Sequence, residues 1–513
     1  MHKVVRTVGF AASRISVAAA VVVMVIVLVG AVILYTRYHE RRLNEGAVDA
    51  PAAPSVAWGE EAPPRTGRFE ASLSFTDLAV SHELVQDIVW DDGWFFQDSE
   101  TYDPELARAC SVIAALAYSE SGYYQQGSSQ PAYMEQALAE LGFTDVSTDS
   151  YRYRSEVVDE ALSLVTDESD GAAYAVATKR IEPDSGSAQV GAAAAAGSDG
   201  AGAESASGDS TASLSGAASS SEAAAEGSVA ETRAKTLVLV SIRGSYGSEW
   251  LSNLAVLGED GSRSASDSAA SGASSSSVDT APSDDGHPGY TEAAREVREA
   301  VDARIRSAHA AGDDVEILLV GHSRGGAIAN LVAASALDDL AAVRDGSAPQ
   351  SLPSLRAGDR VRAYTFASPG TTTAPDAGDA RYGSIFNIVN PADIMVSLPP
   401  SSWGYTRYGR DMELPSVHDA DFGARFDAMG AAFESMMGIP CIYNPDNELS
   451  IDAALGDLSG QVGSAEELKT PAGVIALLSA CMARIDPVAV LQGHYPSVYI
   501  AWMTSLEADT AWA

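Results

Sequence analysis

Val315-Glu-Ile-Leu-Leu-Val320 runs into Gly321-His-Ser323-Arg-Gly325-Gly326 and then into the apolar-periodic run Ala327–Leu337. The pattern predicts a strand, a G-x-S-x-G turn and a helix. The chemistry open to Ser323 is nucleophilic attack on a carbonyl carbon. Gly321 and Gly325 lack Cβ atoms, so strand and helix can close on each other while Ser323 takes a strained backbone conformation. The helix behind the turn aims its dipole and its free N–H groups at the place where an oxyanion would form.

A serine hydroxyl is a weak nucleophile until a base takes its proton. On a fold with this elbow the partners follow in the order serine, acid, histidine. Asp393 ends Ser384-Ile-Phe-Asn-Ile-Val-Asn-Pro-Ala-Asp393, just past an apolar strand, and is the candidate acid. Asp376 and Asp379 stand in a Gly/Ala/Thr loop and read as solvated. Of 8 histidines, only His418 and His494 follow Asp393. His494 precedes the apolar segment Val498–Met503, whereas His418 lies in a polar, acidic stretch, so His494 is the candidate base. His322, on the elbow itself, reads as a packing residue. Oxyanion donors are expected from the Arg324 backbone N–H and from Ser245, which follows the strand Leu237–Ile242 and Gly244.

Positioning these groups requires strands alternating with helices. Strand-like runs at Ala172–Ile181, Lys235–Ile242, Val315–Val320, Arg360–Phe366 and Ser384–Val389 are accompanied by helical patterns at Asp103–Tyr118, Met134–Leu141, Thr291–Ala310 and Ala327–Leu337. This predicts an α/β fold with a mostly parallel central sheet covered on both faces and functional loops at the strand C-termini. Two Ser/Ala/Gly-rich insertions, 184–231 and 258–286, hold too few large apolar side chains to offset the entropy of ordering and are expected to be disordered. The first separates two strands that can still pair as neighbours, because closure entropy grows only logarithmically with loop length. Phe426–Met437 reads as an apolar helix, either core or a cap over an acyl pocket.

The N-terminal region is organised differently. Residues 1–14 form a short tail, 15–36 an uncharged apolar run bracketed by Arg14 and Arg37, 37–68 a Pro- and Ala-containing linker, and 69–513 the folded domain. At 1.5 Å rise per residue the apolar run is about 33 Å long, enough to cross a bilayer. A single-pass membrane anchor is therefore expected. The tail carries no acidic residue, which places the tail inside and the folded domain on the extracytoplasmic side. A net charge of −38 opposes nucleic-acid binding. The 3 cysteines, Cys110, Cys441 and Cys481, form no C-x-x-C pair. Free thiols are expected, with a Cys441–Cys481 bridge the alternative.

Four blocks in order resemble the class 3, fungal-type lipase family of the α/β-hydrolase superfamily. They are Ile242-Arg-Gly-Ser245 with Trp250, His287-Pro-Gly-Tyr290, Gly321-His-Ser-Arg-Gly-Gly326, and Asn390-Pro-Ala-Asp393 with Leu398-Pro-Pro400. The resemblance implies an α/β-hydrolase fold, a triad of Ser323, Asp393 and His494, and Ser245 in the oxyanion hole. It also implies hydrolysis of lipid or lipid-like carboxylic esters, of triacylglycerol lipase or phospholipase type, with no metal or cofactor. Arg324 departs from the family's usual leucine, and the second insertion follows the family's lid position at Ser248–Leu254. A non-catalytic binding module on the same fold and an acyltransferase using the same triad are the competing readings. Substrate identity and oligomeric state have no signal in the sequence.

Overall fold

The structure is a computed structural model. It describes residues 65–126 (except 78 and 81), 133–152, 172–183, 233–244, 288–348, 354–463 and 492–507, with 467, 476, 509 and 512 as single positions. The expected membrane segment 15–36, the tail 1–14, the linker up to residue 64 and both insertions lie outside the described residues.

The order of the principal elements is β1 (Arg68–Phe75), β2 (Leu84–Asp91), α1 (Pro104–Gln126), α2 (Tyr133–Glu140), β3 (Thr144–Ser147), β4 (Tyr174–Ile181), β5 (Lys235–Ile242), α3 (Pro288–Ala311), β6 (Asp314–His322), α4 (Arg324–Arg344), β7 (Arg360–Phe366), β8 (Ile385–Val389), β9 (Arg410–Glu413), α5 (Phe422–Met437), α6 (Asn447–Gln461) and α7 (Pro496–Leu506). Strands β3 to β9 form one seven-stranded sheet in sequence order, and β1 with β2 form a separate antiparallel pair. From β5 to β9 all pairings are parallel, while β3–β4 and β4–β5 are antiparallel. The flanks of the first insertion are thus hydrogen-bonded neighbours, with Tyr174 opposite Ile242 and Ile181 opposite Lys235. This is the mostly parallel central sheet of an α/β fold that the sequence predicts.

The central strands are buried on both faces, as parallel strands covered by helices must be. Their side chains alternate between two cores. Leu237, Leu239, Leu318 and Val320 enter one, together with residues of α1 and α7. Val238, Val240, Ile317 and Leu319 enter the other, with residues of α3 and α4. His322 falls on the first face by the same alternation, which decides its neighbours. Helix α5 packs on α7, with Met429, Phe433 and Met437 buried in the first core, so this stripe is core.

The N-terminal ends of the central strands carry a buried ionic group. Glu316 is engaged by Lys235 at 3.2 Å and by Arg362 at 3.1 Å. Lys235 and Arg362 also donate to the backbone carbonyls of Phe95 and Gln97. With both charges and the carbonyls paired, this network fixes the sheet end opposite the serine without leaving a bare buried charge.

Candidate functional site

The turn between β6 and α4 is strained as the motif requires. Ser323 has φ 58° and ψ −130°, a conformation that costs energy for a residue with a Cβ. Its backbone N–H donates to the Phe366 carbonyl at 2.8 Å, and its carbonyl accepts from Ala327 at 3.0 Å. Neighbouring glycines permit the geometry. A Cβ on Gly321 would overlap the Gly325 carbonyl, and one on Gly325 would overlap the Ile242 carbonyl. The crossing of β5, β6 and α4 at this point is therefore backbone against backbone.

Two loops from the C-terminal side of the sheet meet the serine. Asp393, just past β8, is fully buried; His494, just before α7, is 8% exposed. The Nε2 of His494 lies 2.9 Å from Ser323 Oγ, and its Nδ1 lies 2.7 Å from Asp393 Oδ2. One imidazole thus bridges a hydroxyl and a carboxylate. Asp393 is fixed on its other oxygen, where Oδ1 accepts from the Met395 backbone N–H at 2.9 Å. His418 stands elsewhere, its side chain 64% exposed and 3.8 Å from Glu448. Asp376 pairs with Arg381 and has no part in the cluster.

Arg324 begins α4, so its backbone N–H is at the helix N-terminus beside Ser323. Gly244 ends the β5 approach, and a Cβ there would lie 2.9 Å from that of Ser323. Ser245, the other expected donor, lies outside the described residues, as do His287 and Ser248–Leu254. Cys110 and Cys441 are free, and Cys481 lies outside the described residues.

Four residues that the sequence reading passed over complete the arrangement. Tyr499, on the first turn of α7, donates its hydroxyl to Asp393 Oδ2 at 2.8 Å. Burial, followed by the Asp393 charge, pushes this phenol well above its ordinary pKa, so it remains a donor. Asn390 ties the acid loop to the histidine loop by donating to the Gly493 carbonyl at 3.0 Å. Tyr443 in turn donates to Asn390 Oδ1 at 3.1 Å. Tyr118, on α1, lies with its hydroxyl 2.8 Å from His322 Nδ1. Asn390 begins the block that ends in Asp393, but no spacing marks a tyrosine for such a contact.

Residues 239–403 match the family described as Lipase (class 3), a span that includes Ser323 and Asp393 and stops short of His494. A search of curated proteins finds no match. Among solved structures, the native Rhizomucor miehei lipase propeptide complex is 20% identical over 35% of this chain and 49% of that one, with a TM-score of 0.23. A mutant form of MDLA from Penicillium cyclopium is 21% identical over 36% and 56%, with a TM-score of 0.23. A lipase from Rhizopus microsporus var. chinensis is 19% identical over 34% and 52%, with a TM-score of 0.20. The chain spans about half the length of the solved lipases it matches. The fold is defined by the sheet order and the strained elbow at Ser323. Over residues 239–403 the chain matches the class 3 lipase family, the family that its four sequence blocks resemble.

Proposed function

We propose that this chain is a membrane-anchored serine ester hydrolase that cleaves carboxylic esters of lipids through an acyl-enzyme on Ser323. The observation that supports it most is the single imidazole of His494 held between Ser323 Oγ at 2.9 Å and Asp393 Oδ2 at 2.7 Å. In this reading Ser323 Oγ attacks the ester carbonyl carbon and His494 Nε2 takes its proton. Asp393 holds Nδ1–H and stabilises the imidazolium. The backbone N–H groups of Arg324 and Ser245 receive the oxyanion. As the tetrahedral adduct collapses, the C–O bond to the leaving alcohol breaks and His494 returns the proton to it. Water then repeats the sequence on the acyl-enzyme and frees the acid.

Ester hydrolysis of the lipase type is supported by the class 3 match. The lipid part of the substrate and the anchor are further steps in the proposal. The uncharged run 15–36 would hold the domain 69–513 at a bilayer, where lipid esters are presented, with residues 37–68 as a spacer and the domain on the extracytoplasmic side.

A fluorophosphonate probe on the purified protein tests the chemistry. Wild type is expected to be labelled and Ser323→Ala not; equal labelling of the two removes Ser323 from its role. Turnover of p-nitrophenyl esters of rising chain length tests the substrate class, and a maximum at acetate would rule out a lipid-directed site. Protease accessibility of the domain in intact cells tests the membrane side.

A further inference from the structure

His322 is 1% exposed and lies against the flank of His494. The two ring centres are 4.8 Å apart, with the planes inclined at 52°. Tyr499 meets the His322 ring edge-on at 5.6 Å, and so does Tyr118. The Tyr118 hydroxyl is 2.8 Å from Nδ1. Nε2 is buried and, among the described residues, has no hydrogen bond of normal geometry. Burial, and then the nearby charge of His494, holds this ring well below the ordinary imidazole pKa; the His494 backbone opposes that shift weakly. A buried polar atom without a partner costs free energy, and a structure that keeps one needs a reason for it.

The geometry points to Tyr118 and His322 as positioning residues that keep an uncharged ring against His494, reserving proton uptake at the site to His494 alone. The inference rests on the reading of Ser323, Asp393 and His494 given above. In that reading His494 becomes positively charged as the serine reacts. A second cation beside it would oppose that charge. With the Tyr118 hydroxyl donating to Nδ1, the neutral His322 ring carries its hydrogen on Nε2, and a second proton can enter at Nδ1 only if the Tyr118 hydroxyl turns from donor to acceptor. The ring contacts with Tyr118, Tyr499 and His494 fit this role, while on the other side of the strand the buried Arg243 follows β5. Residue Phe366 of β7, opposite His322 in the sheet, is apolar. Helix α1 supplies Tyr118 and helix α7 supplies Tyr499. The loop before α7 supplies His494. The carboxylate reached through these contacts, Asp393, is hydrogen-bonded to both Tyr499 and His494.

The test compares the full chain in detergent as wild type, Tyr118→Phe and Tyr118→Phe/His322→Gln. kcat and KM for a p-nitrophenyl ester are followed from about pH 4.5 to about 9, across the imidazole range. Histidine ring resonances are titrated alongside, the His322 signal being identified by its loss in His322→Gln. In wild type the acid limb of the rate profile is expected to show one ionisation, with the His322 signal unmoved. In Tyr118→Phe the His322 signal should titrate at a higher pH than in wild type, still short of the ordinary imidazole range because the ring stays buried beside His494. The acid limb should then steepen to two ionisations with its midpoint raised, kcat falling on that limb and KM holding. The double variant should return to one ionisation. A purely structural role for Tyr118 would lower the rate equally at every pH and leave the limb unchanged, which overturns the inference. So does a His322 signal that titrates alike in wild type and Tyr118→Phe, a readout that needs no folded His322 variant beyond the assignment. Hydrolysis retained in Ser323→Ala would overturn the site reading instead, and the His322 titration is independent of that outcome.

Discussion

The hydroxyl of Tyr499 and Nδ1 of His494 converge on one oxygen of Asp393, at 2.8 Å and 2.7 Å. Asp393 is fully buried, so each donor offsets part of the cost of taking its carboxylate out of water. Tyr499→Phe removes one donor and leaves the ring, which also packs on His322 and Phe366. The expected result is a fall of about tenfold in kcat with KM unchanged, since the lost bond orients the base and touches no substrate. Steady-state kinetics checks it, and a change confined to KM would place Tyr499 in substrate binding.

Asp393→Asn probes orientation more severely. An amide can still accept from the Met395 backbone N–H, so the loop keeps its turn. It cannot hold the His494 ring in the tautomer that leaves Nε2 free to accept a proton. kcat is expected to fall by about four orders of magnitude while the protein still folds. Rates measured with enzyme quantified by active-site labelling give the answer, and a loss under about tenfold would end the triad assignment.

These two residues also show how far the sequence could be read. Asp393 was legible because an apolar strand and a turn place it at the sheet's functional end. The elbow was legible because strand periodicity gives way to helix periodicity at a glycine-flanked serine. The strands at Lys235–Ile242 and Arg360–Phe366 have the bounds expected from their apolar runs. Tyr499 is separated from Asp393 by 106 positions, and Tyr118 from His322 by 204. A tyrosine in an apolar helix looks the same whether its hydroxyl meets a carboxylate, a ring nitrogen or water, so only tertiary packing reveals it. The β1–β2 pair was missed for a related reason. Its strands bury Leu73, Phe75 and Trp90 on one side, but α1 and α2 supply the surface that makes this worthwhile.

Two glycines predict changes of opposite sign. Gly325 meets the backbone of Ile242 and Arg243, and backbone cannot rotate away from an added methyl group. Gly325→Ala is expected to lower stability by about 1–3 kcal/mol and to displace the serine, so labelling by a fluorophosphonate falls with it. Gly456 is exposed in the middle of α6, and a Cβ there meets nothing within 4 Å. Gly456→Ala should stabilise by about 0.5–1 kcal/mol through helix propensity, with labelling unchanged. Urea denaturation of both variants decides the matter, and a stable, fully labelled Gly325→Ala would contradict the close crossing of β5 and α4.

Glu120 provides a pH test remote from the serine. Its carboxyl is fully buried on α1; Oε2 accepts from the Met134 backbone N–H at 2.8 Å, and Oε1 has no partner among the described residues. Burial pushes its pKa up to about 8, with the charge of Glu135 adding a little and the Met134 hydrogen bond opposing. The unfolded chain loses this proton near the ordinary glutamate value of about 4.3. Between those limits the folded state binds more protons than the unfolded one, so this group's contribution to stability is full below about pH 4 and declines as pH rises towards 8. Gln at this position resembles the protonated acid and still offers Met134 an acceptor. Glu120→Gln should therefore match wild type near the acid end of the window and exceed it increasingly up to about pH 8, by on the order of a few kcal/mol, and level off above. The difference in unfolding free energy between the two proteins, measured by urea denaturation at several pH values, isolates this residue from the other titrating groups. A difference that stays constant with pH would mean that Glu120 is charged in the folded protein and that its second oxygen has a polar partner after all.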